Sequence, residues 1–388
     1  MKIHRGLVPI LMVLGLGAAG CVLGSGASQV PVTSDRPSPV RQLSPLPSGS
    51  FTAIAPMTTG RGNAAAAVLS DGRVLIAGGI GQDGGIQSSA ELYDPSTRTF
   101  SPTGSMTTPR WLHVAARLID GQVLIVGGDS QAATLAPSEL FDPTTGKFTA
   151  TGSMITARVF HTATTLLDGR VLIVGGRDPQ GHSLAAAELY DPATGAFAAA
   201  APLATGRCFH TATLLADGRV LVTGGQDDHG MLQSAELFDP KTGRFSATAG
   251  PMSSARLNHT ATRLADGRVL VAGGEGGPAA LDSAELFDPK SETFTPTGSM
   301  ATGRAFFTAV LLSDGRVLSV GGFDPAGDVL STADLFDPAT GASSRTGSMT
   351  TLRAGAPAMA TLPDGTVLVA GGSGNDEHGL ASAEIYRP

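Results

Sequence analysis

The apolar residues of this chain fall into short runs, separated by small polar clusters that mark turns. Residues 207–250 show the pattern. His210–Ala216 is apolar and β-branched and predicts a first strand. Asp217-Gly218 is a strong two-residue hairpin signal. Arg219–Thr223 predicts a second strand that ends at Gly224-Gly225, and Gln226–Ser234 is a polar loop. Ala235–Phe238 predicts a third strand. Asp239-Pro240-Lys241-Thr242-Gly243 is a tight turn, in which proline presets φ and glycine supplies φ > 0. Phe245–Thr248 predicts a fourth. The second strand is apolar along its whole length, as expected when both faces of its sheet are covered.

This unit recurs seven times. Gly-Gly pairs begin at Gly78, Gly127, Gly175, Gly224, Gly273, Gly321 and Gly371, at spacings of 48 to 50 residues. Four further columns keep the same phase: an arginine (Arg61, Arg110, Arg158, Arg207, Arg256, Arg304, Arg353), an Asp-Gly pair, an acid (Glu91, Glu139, Glu188, Glu236, Glu285, Asp334, Glu384) and an Asp-Pro pair. Four antiparallel strands in about 49 residues describe a propeller blade. The columns resemble the kelch repeat, and the resemblance covers residues 51–388. It implies an all-β, seven-bladed kelch-type β-propeller. The aromatic after the third-strand turn, usually tryptophan in that family, is Phe100, Phe148, Phe197, Phe245 and Phe294 here; Ser343 in the sixth unit predicts a looser outer edge. The sequence stops after a third-strand pattern, and Phe51–Met57 matches a fourth. The N-terminal strand, 51–57, is therefore expected to complete the last blade and leave no open edge.

The N-terminus has a different character. Lys2 and Arg5 precede an apolar run from Leu7 to Leu16, followed by Gly17-Ala18-Ala19-Gly20-Cys21. This is a signal-peptide layout, and the cysteine after small residues resembles a bacterial lipobox. That resemblance implies cleavage before Cys21, lipidation of its thiol and attachment to the cell envelope, at the outer membrane in a Gram-negative cell because Val22 follows. Residues 22–50, rich in Ser, Pro and Gly, read as a flexible tether.

Composition narrows the function. The net charge of −7 gives no electrostatic basis for nucleic-acid binding. The 52 glycines have no three-residue period, which excludes collagen; most belong to the repeated turns.

Candidate chemistry falls on the loops after Gly-Gly, which vary between units and share one face of the expected ring with the blade-to-blade connections. They carry Asp83, Asp129, Asp178, Asp227, Asp228, Glu275, Asp282, Asp324, Asp328, Asp376 and Glu377, with His182, His229 and His378, and Arg177 is their one base. Such a face favours cationic or neutral polar ligands and offers oxygen donors to Ca²⁺ or another cation, although no strict Ca²⁺-loop spacing is present and no cofactor is expected. Trp111, Phe160 and Phe209, with Phe306 and Phe307, lie just after the arginine column and could stack sugar rings, anchor a partner or pack between blades. The seven arginines could capture anions, but seven copies of both columns favour structural pairing with the acids. His113, His161, His210 and His259 follow the arginine in four consecutive units and pose the question of a metal site; the family often buries a hydrogen-bonded histidine there.

Copper radical oxidases of kelch-like fold need a Tyr crosslinked to Cys, a second Tyr and two His. Here Tyr93, Tyr190 and Tyr386 occupy a packing slot that Phe141 and Phe238 share. No other catalytic motif appears. The expectation is therefore a monomeric, envelope-anchored, non-catalytic binding module that offers its loop face to a protein or glycan partner. The alternative is a carbohydrate-active enzyme (lyase, epimerase or hydrolase) working at the channel mouth.

Overall fold

The structure, a computed structural model, describes residues 49–376 and 378–388. Cys21, the leader, the tether up to residue 48 and Glu377 lie outside the described residues.

Among the described residues, twenty-eight strands form seven four-stranded antiparallel sheets. Six take their strands in sequence order, the first blade running Ala65–Val68, Val74–Ala77, Ala90–Asp94 and Thr99–Pro102. The seventh is Ala358–Thr361, Val367–Ala370 and Ala383–Arg387, with Ser50–Ile54 as its outer strand. Phe51 pairs with Tyr386 and Ile54 with Ala383, so the N-terminal strand does complete the last blade. It spans Ser50–Ile54 rather than 51–57, and it stops two residues short of Pro56, which has no amide to donate. Each innermost strand contacts that of the next blade, and the seventh contacts the first, which closes the ring.

The second strand of every blade is buried on both faces. Its side chains alternate between two interfaces, and one apolar cluster fills each interface. Between blades 1 and 2, for example, Leu75 and Leu92 of one sheet meet Val123, Ile125 and Phe141 of the next around Met106. The hydrophobic core is therefore seven interblade seams, and each sheet depends on both of its neighbours.

One turn differs from expectation. Asp217-Gly218 is not a two-residue hairpin: Leu215 N–H donates to Arg219 O, and of the two residues only Gly218 has positive φ, +90°. The connection is a three-residue loop with glycine in the left-handed position.

The outer edge of blade 6 lacks the ring pair present in the others. Phe287–Phe294 in blade 5 and Phe51–Tyr386 in blade 7 stand 4.9 and 4.8 Å apart, whereas Phe336 faces Ser343, whose hydroxyl is buried without a hydrogen bond. The outer strand, Ala342–Arg345, still forms. Ser343→Phe restores the pair and is expected to stabilise by about 1 kcal/mol, read as a higher urea midpoint. An unchanged midpoint would show that blade 6 has repacked around the serine.

Candidate functional site

The Asp-Gly and Asp-Pro turns share one end of the ring; the loops after Gly-Gly and the connections between blades share the other. At the turn end Arg73, Arg170, Arg219, Arg268 and Arg316 each pair with the aspartate two residues before. Two clefts there, lined by Asp217, Asp266, Arg268 and Lys290 and by Asp314, Arg316 and Asp337, are open grooves between such ion pairs. The loops after Gly-Gly carry the acids with Arg177 as their one base, so these loops are strongly acidic.

The arginine column does not face the channel. All seven side chains are at most 1% exposed, and each is paired with its blade's acid: Arg207 Nη2 lies 2.9 Å from Glu236 Oε1 and Arg158 Nη2 lies 2.6 Å from Glu188 Oε1. Nη1 of Arg207 donates to the carbonyls of Gly224 and Ser234. Glu236 accepts in turn from the amides of Ala204 and Thr205. The network ties the incoming connection, the Gly-Gly turn and the third strand together, and leaves no guanidinium free for an external anion.

The histidine column packs between blades. The first glycine of each Gly-Gly pair has positive φ, and a Cβ on Gly175 would come within 2.8 Å of His210 Cε1 of the next blade. Glycine is required there by contact as well as by backbone. His210 Nε2 shares a hydrogen bond with Thr162 Oγ1 at 3.1 Å, and His259 Nε2 with Thr211 Oγ1 at 3.0 Å. Where Thr162 and Thr211 stand, blades 1 and 2 carry Ala65 and Val114, and the imidazoles of His113 and His161 make no side-chain hydrogen bond. Burial drives the pKa of His113, His161 and His259 down to about 3, with the neighbouring arginine adding to the shift. Each ring occupies its own seam, and among the described residues no three His, Cys, Asp or Glu side chains converge to hold a metal.

The loop acids mostly serve their own loops. Asp178 Oδ1 accepts the amides of Gln180 and His182, Asp227 Oδ1 those of His229 and Gly230, and Asp129 Oδ1 that of Gln131. These carboxylates cap turns and form no cation cage. Asp228 acts between blades: its Oδ1 accepts from Ser183 N at 2.7 Å, which lowers its pKa and ties the loops of blades 3 and 4 together. Asp376 and His378, 3.5 Å apart, belong to blade 7. The expected site thus divides into a group on blades 3 and 4 and a separate pair on blade 7.

Phe160, Phe209 and Phe306 belong to a collar at the channel mouth whose other members, Asn63, Leu112, Asn258 and Gly355, sequence reasoning missed. The residue two after each arginine takes a left-handed backbone in every blade: Asn63, Leu112, Phe160, Phe209, Asn258, Phe306 and Gly355, with φ between 51° and 68°. The amides of Leu112, Phe209, Asn258 and Phe306 donate to the carbonyl at the same position of the preceding blade, at 3.1–3.3 Å. Beside this collar runs the residue directly after Gly-Gly, whose backbone bridges to the residue just after the arginine, as Arg177 does to Val159 and Glu275 to Leu257. The rings of Phe160 and Phe209 lie 4.0 Å apart, and Arg177 stands over Phe209. Asn258 Nδ2 donates to Glu275 Oε1, and Phe306 meets Phe323 edge to face. Trp111 sits one position earlier, half-buried, with its backbone bridged to Asp129 and outside the aromatic stack. The available signal was the variation of these two positions within otherwise constant columns.

Among the described residues the Tyr–Cys pair of a copper radical site is not assembled. Tyr93, Tyr190 and Tyr386 are fully buried against Phe100, Phe197 and Phe51, while Cys208 is buried at the loop end beside Ser183.

The Kelch motif family model matches residues 61–107 and 256–301. No curated protein matches the sequence. Among solved structures the chain is similar to a novel fungal alcohol oxidase with catalytic diversity among the AA5 family, in complex with copper. The TM-score is 0.72 at 20% identity, over 88% of this chain and 76% of the oxidase. It is also similar to YjhT, with a TM-score of 0.59 at 14% identity, over 76% of this chain and 99% of YjhT. At these identities the likeness concerns the fold. The Kelch motif thus matches two of the seven blades, and the residue columns of those two recur through the other five.

Proposed function

We propose that the chain is a non-catalytic binding module, lipid-anchored to the cell envelope through Cys21, that receives a protein or glycan partner at the loop-end mouth of its channel. One observation carries the location of the site. Leu112, Phe160, Phe209 and Phe306 hold a backbone conformation that costs a non-glycine residue about 1–2 kcal/mol. Glycine fills the same position in blade 7. These side chains are only partly buried and belong to none of the seven core clusters. Neither the backbone nor the core requires them, so a role at the surface accounts for their presence.

The test separates binding from folding. Phe160→Gly with Phe209→Gly relieves two strained backbone positions, about 1–2 kcal/mol each, and loses one ring pair with the partial burial of two phenyl groups, a cost of similar size and opposite sign. The variant is expected to melt within a few degrees of the parent and to lose capture of its partner from envelope extracts. Unchanged capture would remove the mouth as the binding site.

A further inference from the structure

The repeat places one recognition chemistry twice, with opposite polarity. In blade 3 the residue after Gly-Gly is Arg177, and its guanidinium carbon lies 5.6 Å from the ring centre of Phe209, the left-handed collar residue of blade 4. In the next pair but one, the same two positions hold Glu275 of blade 5 and Phe306 of blade 6. A carboxylate thus stands where the first pair supplies a cation.

The surroundings of Glu275 leave that charge unmatched. Its carboxylate is half-buried and accepts one long bond, 3.5 Å, from Asn258 Nδ2. Burial raises its pKa, and no cationic side chain acts on it to oppose the rise. Phe306 follows immediately around the collar, since its amide donates to Asn258 O at 3.1 Å. The ring of Phe306 stands perpendicular to that of Phe323, 6.0 Å away. Asn258 links the two parts: its side-chain amide reaches the Glu275 carboxylate, and its carbonyl accepts from Phe306, which pairs with Phe323. A carboxylate and aromatic rings gathered around one residue supply the chemistry that holds an organic cation, through an ion pair on one side and cation–π contact on the other. The acid-rich loops around it raise the local concentration of cations.

We propose that the corner formed by Glu275, Asn258, Phe306 and Phe323 binds a guanidinium or alkylammonium group. The group occupies there the place that the protein's own Arg177 takes beside Phe209. Its source is a basic side chain of the partner or a free organic amine. The inference rests on the mouth being the binding face.

The experiment titrates the full-length protein with three probes: a capped Gly-Arg-Gly peptide, methylguanidinium, and a capped Gly-Gln-Gly peptide as the neutral reference. The two cations are expected to bind saturably and the neutral peptide not at all. Tighter binding of the peptide than of methylguanidinium identifies a partner's side chain as the source; equal affinity identifies a free amine. Glu275→Gln should weaken cation binding about tenfold, and Phe306→Leu, which keeps the bulk and loses the ring, by a smaller factor. Glu275→Arg, which recreates the blade 3 arrangement in place, should abolish it. Asp83→Asn makes the same charge change on the same face, keeps an oxygen for the Gly85 amide, and should leave affinity within about twofold.

Equal losses from Asp83→Asn and Glu275→Gln would overturn the proposal in favour of a face-wide field, as would equal binding of the neutral peptide or no saturable binding of either cation. If cation binding is absent while the Phe160 and Phe209 variant still loses envelope capture, the cation site fails and the mouth stands. If capture is unaffected by every mouth substitution, the broader reading fails.

Discussion

Replacing Arg207 with leucine is expected to cost about 3–5 kcal/mol of folding stability, while Arg219→Ala in the same blade costs less than about 1 kcal/mol. The two arginines differ in what their removal leaves behind. Arg219 is 24% exposed beside Asp217 and Glu292, and water takes its place. Arg207 is fully buried. Without it, Glu236 remains as a buried charge, and the carbonyls of Gly224 and Ser234 lose their donor. Burial alone lowers the pKa of Arg207, which measures how unfavourable the site is for an isolated charge; Glu236 opposes that shift. The penalty is therefore one of an unpaired partner more than of a lost attraction. Urea denaturation of both variants decides the matter. A loss at Arg207 as small as that at Arg219 would show that the network is dispensable.

Blade 6 supplies an internal comparison for that network. Its acid is Asp334, one methylene shorter than the glutamates elsewhere. Asp334 keeps the ion pair with Arg304 at 3.2 Å, but it accepts from Thr302 N alone, at 3.3 Å, and its Oδ1 has no partner. Glu188, by contrast, accepts from Ile155 N and Thr156 N as well as from Arg158. The glutamate length lets one oxygen meet the arginine while the other meets the connection; in Asp334 a single oxygen serves both.

Features that recur in every blade as one residue type were legible in the sequence. The pairing of Arg207 with Glu236 follows from two columns in constant phase, and the closure of blade 7 from the match of Phe51 to Phe100 and Phe148. What could not be read is set by backbone geometry or by whichever hydrogen bond wins locally. The collar position carries Asn63, Leu112, Phe160 and Gly355, so no residue type announces its left-handed φ. Asp178 and Asp227 look like cation ligands as residue types, yet nearby backbone amides claim their oxygens first. Asp217-Gly218 has the composition of a two-residue hairpin, yet the structure closes it one residue wider.

Acidification is expected to destabilise the propeller well before its carboxylates titrate. His113, His161 and His259 are neutral in the fold, with pKa values near 3, and His210 lies well below its ordinary value. In the unfolded chain each takes a proton near the ordinary 6.5. Below that pH the unfolded state binds more protons than the folded one, so stability falls as the pH drops from about 6.5 towards 3 and is fully present above that window. At pH 5 the expected loss is about 2 kcal/mol for each histidine that stays neutral in the fold. Burial is the main cause and the adjacent arginine the second, which would repel an imidazolium in the seam. Blade 6 shows how to remove one contribution: Phe307 fills the histidine position there and packs into the seam between blades 5 and 6. His161→Phe copies that solution at a ring with no side-chain hydrogen bond to lose. Unfolding free energies measured between pH 7.5 and 5 should fall steeply for the parent and less steeply, by about one proton, for the variant. Parallel slopes would mean that His161 is not held neutral in its seam.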